Sequence, residues 1–160
     1  VSLGSAAKKL REMGVETIGI IGTPVERARL YFRYRPPGYL LGADADLASH
    51  RALGLPRMEL TGEVMQVIDR HTDALAHHLG LDPPRGHGRA VVNRLDGIDE
   101  TDYRTEMQQH QVQFTAQFLI DREGIIRWSN VECSHGRLDD SFETFPTDDQ
   151  LLGAARTATG

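Results

Sequence analysis

The sequence predicts an α/β fold, on three observations. Short runs rich in isoleucine and leucine alternate with helix-forming stretches over the first 55 residues. A strand–turn–strand pattern occupies residues 117–131, and a capped amphipathic stretch closes the chain. Strands that alternate with helices imply parallel pairing through right-handed crossovers, whereas the later pattern implies an antiparallel hairpin. The 160 residues, 39% hydrophobic and 26% charged, suffice for one globular domain with a core of its own.

The first element is a helix over residues 6–13, built from strong helix formers and ended by Gly14. Residues 16–22 then read as a strand. They are short, isoleucine-rich and polar only at the start, which suits a strand buried on both faces. Thr23, Pro24 and Glu26 form a helix start, with Thr23 as N-cap, Pro24 at the first helical position and Glu26 closing a capping box. That helix runs to about Tyr34 and is broken by Pro36, Pro37 and Gly38. Residues 39–43 are a second strand, and Asp44 or Asp46 caps a helix that runs through Leu53 and ends at Gly54.

The middle of the chain differs. Val64, Met65, Ile68, Leu75 and Leu79 recur at helical spacing up to Gly80. Residues 82–88 hold two prolines and two glycines and read as loop. The polar stretch 96–113 reads as loop plus an exposed helix. Phe118, Leu119 and Ile120 are then followed by turn chemistry from Asp121 to Gly124, with Gly124 where positive φ is needed, and by a strand from Ile125 to Val131. Thr147 and Gln150 form a capping box ahead of Leu151, Leu152, Ala154 and Ala155.

Charge and composition exclude several classes. A net charge of −5 argues against nucleic acid as a partner. No apolar run approaches the ~20 residues of a membrane helix, and no secretory leader pattern opens the chain. The chain begins at Val1, inside a helix-forming stretch, and is expected to be a fragment or a processed product. One cysteine, Cys133, rules out an internal disulfide and suggests a reducing, cytoplasmic setting.

Few residues carry chemistry. Cys133, with His135 two positions on, is a candidate redox thiol with an adjacent base, set against the ordinary role of a free cysteine as a small buried hydrophobe. His71 and His78 share a helix face, but the i, i+4 pair with an intervening Glu of zinc proteases is absent, and a solvated face is preferred for these and for His77. Asp44, Asp46, Asp139, Asp140, Asp148 and Asp149 are better explained as caps than as a calcium site. The run from Gly19 to Pro24 lacks the glycine pattern and lysine of a phosphate loop. Alternation puts Arg127 and Ser129 on one face of the hairpin and Trp128 and Asn130 on the other, with Trp128 covering the terminal helix.

Two blocks carry a resemblance. Residues 10–32, LREMGVETIGIIGTPVERARLYF, with residues 40–55, LLGADADLASHRALGL, form the first. The second is the hairpin FLIDREGIIRW at residues 118–128, followed by the terminal helix. In this order they resemble the peroxiredoxin-like (AhpC/TSA, redoxin) family of the thioredoxin fold. The resemblance implies one thioredoxin-like domain over residues 1–160, a three-layer α/β/α sandwich with a mixed sheet, N-terminally incomplete. Residues 56–114 would be a family-atypical insertion of helix and loop.

It also implies a thiol-dependent peroxide or disulfide oxidoreductase with an antioxidant role, a thiol donor as second substrate and no cofactor. The family's reactive cysteine sits at the start of a helix after the first strand, and both map upstream of Val1. This chain is therefore expected to be inactive by itself, with Thr23 and Thr115 as possible active-site-facing positions. No proline precedes the hairpin strand where many such folds place a cis-proline. Without its central strand the sheet should fall into two halves. An alternative is a non-catalytic interaction module, self-associating through an exposed sheet edge. A further alternative is a metal-binding protein using His71, His78, Cys133 or His135.

Overall fold

The structure, a computed structural model, describes residues 3–33, 36–95, 108, 110–138, 142 and 144–159. It is mixed α/β and divides into two compact units. Unit 1 comprises Val1–Pro56 with Phe114–Gly160, and unit 2 is Arg57–Gln113, the stretch between the two sequence blocks.

Unit 1 begins with α1 (Leu3–Glu12). Its last turn closes as predicted: the amides of Met13 and Val15 both donate to the Leu10 carbonyl, and Gly14 takes φ +78°. Strand β1 (Ile18–Ile21) pairs in parallel with β2 (Leu40–Ala43), in the register Ile18↔Leu40 to Ile21↔Ala43. The expectation that this strand is buried on both faces is corrected. Ile18 is 63% and Ile20 46% exposed, because no described element covers their face of the two-stranded sheet.

Between the strands lies α2 (Val25–Tyr31), one turn shorter than expected. Its N-cap is Pro24 rather than Thr23, and the Pro24 carbonyl accepts the Ala28 amide. Proline at the cap position leaves Thr23 in the preceding turn, where its N–H donates to the Ile21 carbonyl at 2.9 Å. Helix α3 (Ala48–Ala52) follows β2.

The hairpin consists of β5 (Ala116–Ile120) and β6 (Ile126–Val131), and their register runs from Ala116↔Val131 to Ile120↔Ile126 with one irregularity at Leu119/Ile120. Gly124 takes φ +81° as the turn requires. The Asp121 carboxylate holds the turn by accepting the amides of Glu123 and Ile125 and the Arg127 guanidinium. These hydrogen bonds, that from Ile125 first, keep its carboxyl below the ordinary range.

The terminal helix α6 (Asp148–Thr159) starts with the predicted box: Gln150 Oε1 accepts the Thr147 amide, and the Gln150 amide donates back to Thr147 Oγ1. The two helices α1 and α6 pack on each other, and Ala6, Ala7 and Leu10 of the first and Leu151 and Ala155 of the second are buried, as are Leu47, Phe114 and Cys133 elsewhere in the unit. Among the described residues the strands of unit 1 form two separate pairs, β1–β2 and β5–β6.

Unit 2 holds α4 (Gly62–His78) and α5 (Gly88–Leu95), with a short antiparallel ladder between β3 (Arg57–Met58) and β4 (Val112–Gln113). Thr61 caps α4 by accepting the Val64 amide, and Gly80 ends it at φ +76°. Val64 and Ala76 are buried, whereas Leu75 and Leu79 are exposed despite their helical spacing. The loop predicted for residues 82–88 ends at His87, and α5 and the β3–β4 ladder had no counterpart in the sequence reading. Most of the polar stretch 96–113 lies outside the described residues; its end forms β4.

Helix α5 docks on α4 through Gly88. A Cβ there would stand 2.5 Å from the Asp73 backbone. The Asp73 carboxylate completes the joint by accepting the amides of Gly86 and Gly88, which lower its pKa.

These contacts predict opposite signs for two glycine-to-alanine changes. Gly88→Ala forces the two helices apart and is expected to destabilise unit 2 by about 1–3 kcal/mol. Gly153→Ala, in α6, meets nothing within 4 Å and should stabilise by about 0.5–1 kcal/mol through helix propensity. Urea denaturation of the two variants beside wild type measures both.

Candidate functional site

The carboxyl ends of parallel strands are where α/β sheets commonly bind ligands, and in unit 1 that end of β1–β2 is built tightly. The Asp44 amide donates to the Ile21 carbonyl at 2.8 Å, joining the two strand ends. Its carboxylate turns to α3, accepting the amides of Ala48 at 3.0 Å and Ser49 at 2.7 Å and the Ser49 hydroxyl. The Ser49 hydroxyl first, then the amides, hold the Asp44 carboxyl below its ordinary range. Asp44 is thus the predicted cap of α3, although the N-cap residue itself is Leu47, in the left-handed region at φ 55°. Asp46 contributes its carbonyl to Arg51.

His50 completes this end. Its Nδ1 is buried without a hydrogen-bond partner. Burial pushes its pKa down, with Asp44 opposing in part, which favours the neutral imidazole. Gly22 is required here, because a Cβ would collide with the Leu47 side chain and would sit 4.0 Å from His50 Cε1. Thr23 follows directly and is half-buried. A neutral imidazole with an unsatisfied nitrogen beside a strand-end turn can accept or donate one proton to a bound group. Sequence reasoning missed His50; the only signal was its place six residues after a strand-end aspartate.

The other predicted residues lie elsewhere in unit 1. Thr115 is exposed, and its amide donates to the buried Glu132 carboxylate at 2.8 Å while its carbonyl accepts the Glu132 amide at 2.9 Å. Cys133 follows, fully buried, with a positive φ of 45°. Its carbonyl accepts the Gly136 amide, and His135 occupies the exposed part of that turn. The thiol therefore points into the core while the imidazole stands in solvent. Gly19, in the run once compared with a phosphate loop, is a packing glycine, since a Cβ there would meet Leu41 at 2.8 Å and Tyr39 at 2.9 Å.

Asp148 accepts Lys9 Nζ at 2.7 Å, which raises the lysine pKa. Asp139 and Asp140 lie outside the described residues. In unit 2, His71, His77 and His78 are exposed, and His77 lies 3.8 Å from Asp82. Among the described residues no three His, Cys, Asp or Glu side chains converge as a metal site would need, and no helix is long and apolar enough to cross a membrane.

A concavity of unit 1 lies between the hairpin and α6. It encloses about 920 Å³ and is bordered by Trp128, Phe145 and residues of α6 from Asp149 to Ala158. Trp128 and Asn130 are half-buried and Arg127 and Ser129 exposed, as strand alternation predicts. Comparison of the chain with family models, with curated proteins and with solved structures finds no match.

Asp44 makes the strand-end cluster acid-sensitive. Its folded pKa is depressed, so its contribution is full above the unfolded value of about 3.9 and is lost as pH falls through the lower folded value. Carboxyl NMR titration should place Asp44 below about 3.9, and Asp44→Ala should raise amide exchange at Ala48 and Ser49 at neutral pH.

Proposed function

We propose that unit 1 is a peroxiredoxin-like scaffold for thiol-dependent reduction of peroxides or disulfides, whose reactive thiol is not among these 160 residues. The observation that carries this reading is the order of elements. A parallel β–α–β unit with a built carboxyl end is followed by an antiparallel hairpin and a terminal helix that returns to α1. That order is the one the two sequence blocks resemble. On this reading β1–β2 and β5–β6 are flanks of a thioredoxin-like mixed sheet within a three-layer sandwich, and the reactive cysteine opens the helix that follows the strand between them. A thiol donor in a reducing, cytoplasmic setting recycles the oxidised form.

Burial of Cys133 supports the division of labour. Thiol chemistry needs a thiolate that peroxide can reach, stabilised at a helix N-terminus or beside a cation. Cys133 has neither access nor a helix start. Peroxide consumption with a dithiol donor is therefore expected at background for both the wild-type chain and Cys133→Ser. Turnover lost on that substitution would overturn the proposal.

One observation favours a second reading, a non-catalytic module that associates through this sheet. Ile18, Ile20 and Leu40 are all exposed, and the register places Ile18 beside Leu40. Exposed apolar strands of this kind recruit another chain. Sedimentation equilibrium separates the two readings: self-association abolished by Ile18→Ser with Leu40→Ser supports the module, and a monomer at all concentrations removes it.

A further inference from the structure

The cleft between β6 and α6 has no part in the reading above. Four consecutive β6 residues, Arg127, Trp128, Ser129 and Asn130, border it. Side chains alternate between the two faces of a strand, so what four in a row share is the backbone edge. The cleft therefore runs along the edge of β6 opposite β5, and among the described residues no strand pairs there.

The phase of the ladder identifies the groups on that edge. The Glu132 amide donates to the Thr115 carbonyl, and in an antiparallel pair every second residue faces its neighbour. With Gln117↔Asn130 and Leu119↔Trp128 in register, Asn130 and Trp128 face β5, and the backbone N–H and C=O of Ser129 face the cleft.

We propose that this cleft takes an extended cationic peptide segment of a partner protein, added to β6 as a further strand. Unpaired strand edges bind extended peptides by main-chain hydrogen bonds, with pockets for alternate side chains. The floor on α6 includes Gly153, Ala154 and Ala158, whose small side chains leave room for a backbone. Charge selects the occupant. Among the described residues, Asp121, Glu123 and Asp149 line the cleft against a single cation, Arg127, which is already bound to Asp121 at 2.5 Å.

The aromatic walls suit the same occupant. Trp128 and Phe145, the latter 52% exposed, both border the cleft. Lysine or arginine side chains lay their stems on such rings and direct their charge to nearby carboxylates.

Trp128 is the one tryptophan of the chain, so its fluorescence reports on this cleft alone. The full chain is titrated with a blocked hexapeptide of alternating lysine and valine. The expected result is a saturable change in Trp128 emission that weakens with salt, together with slowed hydrogen exchange at the Ser129 amide. Glu123→Lys, in the exposed turn, should weaken binding about tenfold, which corresponds to about 1.4 kcal/mol. Ser129→Pro removes the outward N–H but none of the bonds to β5 and should abolish binding with circular dichroism unchanged; should that variant not fold, Glu123→Lys and the exchange measurement still decide. No saturable change, equal binding of an alternating glutamate–valine hexapeptide, or unchanged exchange at Ser129 with peptide bound would overturn the proposal.

Discussion

Unit 1 depends on the contact between its first and last helices. The unit is assembled from two stretches of chain, residues 1–56 and 114–160, and α1 against α6 is the main element-to-element contact that joins them. Ala6, Ala7 and Leu10 on one side and Leu151 and Ala155 on the other are all buried, and the alanines let the helices approach closely. Burying a leucine contributes about 1.5–3 kcal/mol, so Leu10 and Leu151 outweigh the exposed Lys9–Asp148 ion pair, which adds orientation more than stability. Closing so long an intervening stretch costs only logarithmically more than closing a short one. A whole second unit can therefore be accommodated between Pro56 and Phe114 without dissolving the first.

Acidic residues do much of the local work. Asp44, Asp73 and Asp121 each direct carboxylate oxygens at backbone amides, at the start of α3, at the start of α5 and in the hairpin turn respectively. In each case hydrogen bonds to the ionised form depress the pKa. A chain with 23 acidic and 18 basic residues thus uses part of its negative charge to close helix starts and turns. This bears on function, since a carboxylate already accepting two or three donors is a poor general base. At this strand end the buried atom without a hydrogen-bond partner accordingly belongs to His50 and not to Asp44.

What was legible in the sequence is what local chemistry decides. Gly14, Gly80 and Gly124 mark positive φ where backbone geometry demands it, and the Thr147–Gln150 box forms as written, because these signals need no distant partner. Position in the helix start was less secure: Pro24 took the cap expected of Thr23, since proline suits either place. Burial was not legible at β1, because an isoleucine run reads alike whether or not another layer covers it. The β3–β4 ladder pairs two-residue strands more than 50 positions apart, too short to leave a periodic pattern. Helix α5 was hidden because Gly88 reads as loop until its close approach to Asp73 is seen. His50 left no pattern in the sequence beyond its place after Asp44.

Cys133 shows how the backbone sets the surroundings of a reactive residue type. A lone cysteine two positions from a histidine invites a redox reading, and the backbone there places the two side chains in different surroundings. The left-handed φ of 45° at Cys133 reverses the chain into the turn that ends at Gly136, at a conformational cost on the order of 1 kcal/mol. That reversal sends the thiol inward beside the buried Glu132 and leaves His135 outside. Moving the imidazole to the thiol would require undoing the turn, and with it the Glu132–Thr115 bonds that end the hairpin ladder. The same backbone that anchors β6 therefore holds Cys133 buried and His135 exposed.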